Sequence, residues 1–144
     1  MIVLDTNVVS EPMKAQGSAA VTAWLDKQHA DTLYLTATSL SEPLVGIAIL
    51  PAGKRRDGLD GALVDLLGRL FGSRILPFDK AAAVAYAPII GRAREAGQVI
   101  SVADGQIAAI AMVHGFAVAT RDTAPFKAAG VQVINPWTDD KTAS

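Results

Sequence analysis

Four acidic residues occupy positions that could carry chemistry. Asp5 directly follows a short apolar run, Ile2–Leu4, and Asp122 follows a second such run. Glu42 and Asp104 each lie three positions after a serine. Carboxylates gathered in one place repel each other unless a proton or a cation lies between them. The chain has no cysteine, and the group contains carboxylates without a histidine. Since its ligand atoms are all oxygens, such a group would select the hard ions Mg²⁺ or Mn²⁺.

A divalent ion held by carboxylates can hydrolyse phosphate esters. It lowers the pKa of a bound water, orients that water and neutralises charge on the phosphate under attack. The N–H groups at helix N-termini also favour negative charge. The acid set therefore indicates metal-dependent phosphate chemistry if the four side chains meet.

Each acid also has a structural explanation. Asp5 and Asp122 could be helix N-caps, and Glu42 and Asp104 have the spacing to a serine that is typical of a capping box. The functional interpretation thus depends on all four lying together.

Short β-branched or apolar runs alternate with helical periodicity along the chain. We predict strands at 2–4, 33–37, 75–78, 117–120 and 131–134. We predict helices at 18–28, 80–96 and 102–114. Three further helices are predicted: the first is capped by Thr38 and Ser39 and runs to Leu50, the second carries the leucines between 59 and 70, and a short third helix follows Asp122.

This alternation predicts an α/β fold with a mostly parallel five-stranded sheet and helices on both faces. Ligands bind such sheets beyond the carboxyl ends of the strands, and all four acids fall at that edge. In this prediction Glu42 lies in the first turn of its helix. We expect one domain at residues 1–137 and a disordered polar tail at 138–144.

Composition narrows the class of protein. The chain is 51% hydrophobic, with 13 basic and 14 acidic residues, so bulk positive charge cannot hold a nucleic acid and any phosphate contact must be local. Without cysteine, disulfides and thiolate sites are excluded. No segment approaches the roughly 20 apolar residues that cross a bilayer, and no secretory leader is visible. We expect a cytoplasmic protein.

Several motifs together resemble the PIN-domain family, and within it the VapC and FitB toxins of bacterial toxin–antitoxin pairs. They occur in the family's order from the first residue to about Trp137. The motifs are IVLDTN at 2–7, VVSEP at 8–12, SE at 41–42, ILPFD at 75–79, ADGQIAA at 103–109, ATRDT at 119–123 and NPW at 135–137.

The resemblance implies a three-layer α/β/α sandwich and Mg²⁺-dependent hydrolysis of RNA phosphodiesters, with Mn²⁺ as the other candidate ion. It implies that Asp5, Asp104 and Asp122 face the metal, and that Glu42, the fourth catalytic residue, holds a metal-bound water for in-line attack. It also implies a cognate antitoxin, homodimers that pair further, and operator DNA bound only through the antitoxin.

Four neighbours of the acids are candidate substrate-binding residues. Thr6 and Asn7 could orient the first acid or bind RNA, or could simply form a turn and cap. Thr120 could hydrogen-bond a carboxylate or a phosphate. Arg121 could bind a phosphate, pair with the neighbouring aspartate, or face solvent.

One residue departs from the family pattern. Pro43 follows Glu42, and a proline disfavours helical dihedrals in the residue before it. The placement of Glu42 depends on where its helix begins.

Two rival functions are compatible with the fold. A phosphoaspartate phosphatase should have a second aspartate where Asn7 stands. A non-catalytic co-repressor, acting only as the partner of a DNA-binding antitoxin, would not need all four acids.

Overall fold

The structure, a computed structural model, describes residues 1–138 and contains five strands and seven α-helices in that range. Apart from Thr138, the tail predicted at 138–144 lies outside the described residues. The strands are β1 (Ile2–Leu4), β2 (Leu33–Thr36), β3 (Ile75–Leu76), β4 (Ala117–Ala119) and β5 (Val133–Ile134). The helices are α1 (Thr6–Ser10), α2 (Ala19–Lys27), α3 (Ala37–Ala48), α4 (Lys54–Phe71), α5 (Lys80–Glu95), α6 (Val102–His114) and α7 (Thr123–Ala129).

All five strands are parallel and lie in the order β3-β2-β1-β4-β5. The first strand is central, and Val3 is in register with Tyr34 on one side and Val118 on the other. The predicted parallel sheet is confirmed. Because β1 and β4 are adjacent, the residues that follow them meet at one edge.

Two hydrophobic layers cover the two faces of the sheet. Val3 and Val118 pack with residues of α5, α6 and α7, whereas their neighbours Leu4 and Ala119 pack with residues of α1, α2 and α4. This division follows from the alternation of side chains along a strand. The three-layer α/β/α sandwich is confirmed.

The sixth helix is the most deeply buried, as its apolar sequence predicted. Ile107 and the four residues after it are at most 1% exposed. Gly105 permits close packing against α5, since a Cβ built there would lie 2.7 Å from Cε2 of Tyr86. Ser101 caps the helix by accepting a hydrogen bond from the N–H of Asp104 at 3.1 Å. The predicted cap is correct.

The start of α3 differs from the prediction. Thr36, not Thr38 or Ser39, is the N-cap, and its hydroxyl oxygen accepts a hydrogen bond from the N–H of Ser39 at 3.0 Å. The helix therefore begins directly after the strand. Glu42 lies in its second turn rather than its first, and Pro43 lies inside the helix.

Within residues 1–138, no helix is both long enough and apolar enough to cross a bilayer.

Candidate active site

The candidate site is built around Asp5, where β1 ends. Its backbone N–H bonds to the carbonyl of Ala119 on β4 at 2.9 Å, which continues the pairing of the two strands by one residue. The side chain is 7% exposed. One carboxylate oxygen accepts the N–H of Thr6 at 2.8 Å and the other accepts the hydroxyl of Thr120 at 2.8 Å. Asp5 is therefore the N-cap of α1 and also a buried acid fixed on both oxygens.

The hydroxyl of Thr120 connects two of the acids. It donates to Asp5, while its oxygen accepts the backbone N–H of Asp122 at 3.1 Å. Thr120 is fully buried, and of the two predicted contacts, a carboxylate or a phosphate, the structure shows the one with a carboxylate.

Asp122 precedes α7, but its carboxylate makes no capping hydrogen bond and is exposed. The capping explanation does not account for this side chain. It lies near enough to Asp5 and Asp104 to raise the pKa of both carboxyl groups.

Asp104 reaches the site from the first turn of α6. Burial is the main cause of its raised pKa, with further contributions from the charges of Asp5 and Asp122, while Ser101 opposes the shift. The side chain of Ser101 thus caps the helix and contacts this acid.

Glu42 joins the group from α3, although its place in the helix was mispredicted. Its exposed carboxylate lies 3.4 Å from the hydroxyl of Thr6. Burial, Asp5 and Asp104 raise the pKa of Glu42, in that order of size, and the Thr6 hydroxyl lowers it.

The electrostatic relations show that the four acids share one region. Desolvation is the largest cause of the raised pKa of Asp5, and the charge of Asp122 adds to it against the two hydrogen bonds from Thr6 and Thr120. In the part of the chain that is described, no lysine or arginine forms an ion pair with any of the four acids. Among residues 1–138, the site therefore concentrates negative charge without a paired lysine or arginine to balance it.

The donor set suits a hard cation in its chemistry, because it offers carboxylate oxygens only. As the side chains stand, however, no group of three or more Asp, Glu, His or Cys residues within 1–138 is arranged so that it could hold a metal ion. Asp104, Asp122 and Glu42 all have solvent access. Asp5, by contrast, is buried, and both of its carboxylate oxygens accept hydrogen bonds, from Thr6 and Thr120.

The other candidate substrate residues lie close by. The buried Oδ1 of Asn7 has no hydrogen-bond partner among the described residues. The guanidinium of Arg121 lies 5.2 Å from the centre of the Trp137 ring, which is a cation–π contact that was not among the predicted alternatives. Arg121 is exposed, and its charge contributes to the lowered pKa of Glu11.

A polar contact that the sequence interpretation did not identify joins α3 to α6. The hydroxyl of Thr38 donates to Oε1 of Gln106 at 3.0 Å. Gln106 lies two residues after Asp104 in a helix that is otherwise apolar, and that polar exception was the available signal. The contact links the helices that carry Glu42 and Asp104.

Comparison with known families and proteins agrees with this architecture. Residues 2–131 match the PIN domain. The chain is 51% identical over 137 residues to VapC ribonuclease Y4jK of Sinorhizobium fredii, covering 95% of this chain and 98% of that protein. It is 47% identical over 139 residues to toxin FitB of Neisseria gonorrhoeae, covering 96% and 100%. It is also 49% identical to plasmid stability protein StbB of Pseudomonas syringae pv. tomato, covering 95% and 99%.

Solved structures show the same fold. A chain in the crystal structure of FitAcB from Neisseria gonorrhoeae superposes with a TM-score of 0.88 at 46% identity, covering 96% of this chain and 99% of that one. A chain of FitAB bound to a DNA fragment gives 0.87 at 46% identity, covering 95% and 96%. VapBC2 from Rickettsia felis gives 0.72 at 19% identity, with 94% and 98% covered, which supports the fold alone.

Proposed function

The chain belongs to the PIN domain family, and from this premise we propose that it is a Mg²⁺-dependent endoribonuclease that acts as the toxin of a toxin–antitoxin pair. The family match spans residues 2–131, and relatives of nearly the same length are named a VapC ribonuclease and the toxin FitB.

One observation carries the proposal. A buried carboxylate, Asp5, lies near three further carboxylates that come from separate parts of the fold, and no lysine or arginine among the described residues pairs with them. A carboxylate that only caps a helix does not need other carboxylates beside it. A group of carboxylates of this kind is stabilised by a cation, which also attracts the phosphate of a substrate.

Asp5, Asp104 and Asp122 would hold the ion. When bound, Mg²⁺ supplies a polarised water and neutralises charge on the phosphate under attack. Mn²⁺ suits the same oxygen ligands. Asp5 contributes a fixed point, because Thr6 and Thr120 hold both of its oxygens.

Glu42 is the best placed of the four to accept a proton from an attacking water. It is exposed, and its pKa is raised. A carboxylate with a raised pKa is a stronger base than an ordinary one, which suits general-base catalysis.

The RNA phosphates would be held locally. Arg121 is exposed beside Asp122 and is kept in place on Trp137, and its planar guanidinium can bind a phosphate through two N–H groups. Thr6 and Asn7 border the same region.

The proposed partner is a cognate antitoxin. The superposing chains come from the FitAB complex, in one case bound to DNA. We infer by analogy that this chain pairs with its own antitoxin, that it forms homodimers which pair further, and that it reaches operator DNA only through the antitoxin. The cytoplasm, where RNA is made, is where we place this activity.

The test is cleavage of single-stranded RNA by the purified, antitoxin-free protein. We expect cleavage with Mg²⁺, none with excess EDTA, and none from Asp5→Asn with Mg²⁺. Asp60→Asn removes an exposed carboxylate of α4, outside the acid group, and should cleave as wild type does. EDTA-resistant cleavage, or an Asp5→Asn protein as active as wild type, would overturn the proposal. A protein that binds its antitoxin but never cleaves RNA would favour the co-repressor.

A further inference from the structure

A proline inside α3 leaves one backbone carbonyl without its helical partner. In an α-helix the carbonyl of residue 39 accepts the N–H of residue 43. Pro43 has no N–H to give, and it lies within the helix. Ser39 is 2% exposed, so water has little access to replace the missing donor. A buried carbonyl in this position needs another partner.

Thr6 of α1 provides that donor. Its hydroxyl oxygen lies 3.4 Å from the carbonyl oxygen of Ser39 and 3.4 Å from Oε1 of Glu42. The hydroxyl has one proton, which it can give to either oxygen. The backbone N–H of the same residue donates to Asp5. A single threonine therefore contacts both acids and the helix that carries the second one.

We propose that Thr6 is a positioning residue whose hydroxyl replaces the donor that Pro43 removes from α3, and so holds Glu42 in a fixed place beside Asp5. The inference rests on the proposed function and adds to it. It also explains how Glu42 stays in the acid group although a proline follows it. The helix is anchored at Ser39 by a residue adjacent to Asp5, so the hydroxyl of the threonine compensates for the N–H that the proline lacks.

The hydroxyl's direct contact with Glu42 supports the same role. This contact favours the charged carboxylate, against the effect of burial and of the neighbouring acids. Glu42 is exposed, and without this contact its side chain would have more rotamers available.

The first test is a double-mutant cycle in unfolding by urea. Thr6→Val removes the donor and keeps the shape, and Pro43→Ala restores the helical N–H. In the natural background, Thr6→Val should raise the unfolding equilibrium constant by about fivefold, which is typical for one lost hydrogen bond. In the Pro43→Ala background we expect a change below about twofold, because Ser39 then has its helical partner. Equal effects in the two backgrounds would overturn the contact.

The second test separates positioning from simple stability. We expect Thr6→Val to lower kcat for RNA cleavage by about tenfold with KM within twofold, because a misplaced group slows chemistry without weakening binding. Thr6→Ser keeps a hydroxyl and should restore kcat to within threefold of wild type. The matched control is Thr22→Val, which removes a hydroxyl that donates to the Ser18 carbonyl on α2 at 3.3 Å and should leave kcat unchanged.

The outcomes are distinct. An unchanged kcat in Thr6→Val would overturn the positioning role, and a rise in KM alone would make Thr6 a substrate contact. A wild-type protein that cleaves no RNA would overturn the proposed function and this role in it. The unfolding cycle would still report whether Thr6 and Ser39 are bonded.

Discussion

The hydroxyl of Thr120 donates a 2.8 Å hydrogen bond to a carboxylate oxygen of Asp5, across 115 positions of sequence. The two residues follow the adjacent strands β1 and β4, so the pairing of those strands sets the distance between them. The same hydroxyl oxygen accepts the N–H of Asp122. One buried side chain thus places an acid and the backbone of a second one.

Thr120→Val should reduce both stability and activity. Removing this donor leaves a buried charged group short of one hydrogen bond, which costs about 1–3 kcal/mol. We expect that loss in urea unfolding at neutral pH, together with at least a tenfold fall in kcat/KM for RNA, because Asp5 is no longer held. Thr120→Ser keeps the donor and should recover most of both. Equal losses in the two variants would mean that the hydroxyl has no part in the effect.

The stability of metal-free Asp5→Asn relative to wild type should increase as the pH rises. Folding raises the pKa of Asp5 above its ordinary value of 3.8, so the folded state binds this proton more tightly than the unfolded chain does. The contribution of Asp5 to stability is therefore complete below about pH 4 and is lost as pH rises through the raised pKa. Asparagine stays neutral throughout.

The measurement is the difference in unfolding free energy between Asp5→Asn and wild type in EDTA, from pH 4 to pH 7. We expect the variant to gain on wild type as pH increases. Taking the difference removes the effect of Glu11, whose lowered pKa acts in the opposite direction and is common to both proteins. A difference that is constant with pH would contradict the burial of a charged Asp5.

Mg²⁺ should raise the melting temperature of the wild-type protein. An ion that binds only the folded state adds about 2.7 kcal/mol at a concentration one hundred times its Kd. Thermal unfolding with increasing Mg²⁺ should show this rise in wild type and in Asp60→Asn, and little of it in Asp104→Asn. If Asp104→Asn and wild type respond equally, the ion binds elsewhere.

Gly105→Ala should destabilise the protein although it replaces a helical glycine. The new Cβ would lie 2.7 Å from Cε2 of Tyr86 and 3.1 Å from Cδ1 of Ile90, and overpacking of this kind costs about 1–3 kcal/mol. Gly91→Ala, at an open position of α5, should instead stabilise by about 0.5–1 kcal/mol through helix propensity. Urea unfolding of both variants checks the contrast. A stabilised Gly105→Ala would mean that α5 and α6 can separate freely.

Arg121→Ala should weaken RNA binding in a salt-dependent way. If its guanidinium binds one phosphate of single-stranded RNA, the negative slope of log affinity against log salt concentration should become shallower by about 0.7 in the variant. Binding is measured in the non-cleaving Asp5→Asn background. Arg94→Ala, which removes an exposed arginine of α5, should leave the slope unchanged. An unaltered slope in Arg121→Ala would remove it from the RNA site.

Local sequence determined most of the secondary structure. The apolar run of Ile2–Leu4 ends at an aspartate. The helix α6 extends over Val102–His114 because Ser101 caps its start and Gly115 ends it. Such signals act over a few residues and are visible in the chain. The parallel order follows as well, because alternating strands and helices allow few other connections.

Contacts distant in sequence decided the rest. Whether Thr120 faces substrate or the interior depends on the adjacent β1, and the partner of Arg121 is Trp137 rather than its neighbour. Because Thr36 is the N-cap of α3, Glu42 lies one turn later in the helix than predicted. Several nearby hydroxyls could have capped this helix, and local sequence does not choose among them. Sequence determined which groups were available for the site. Tertiary packing decided their distances, because it alone joins the ends of strands that are far apart along the chain.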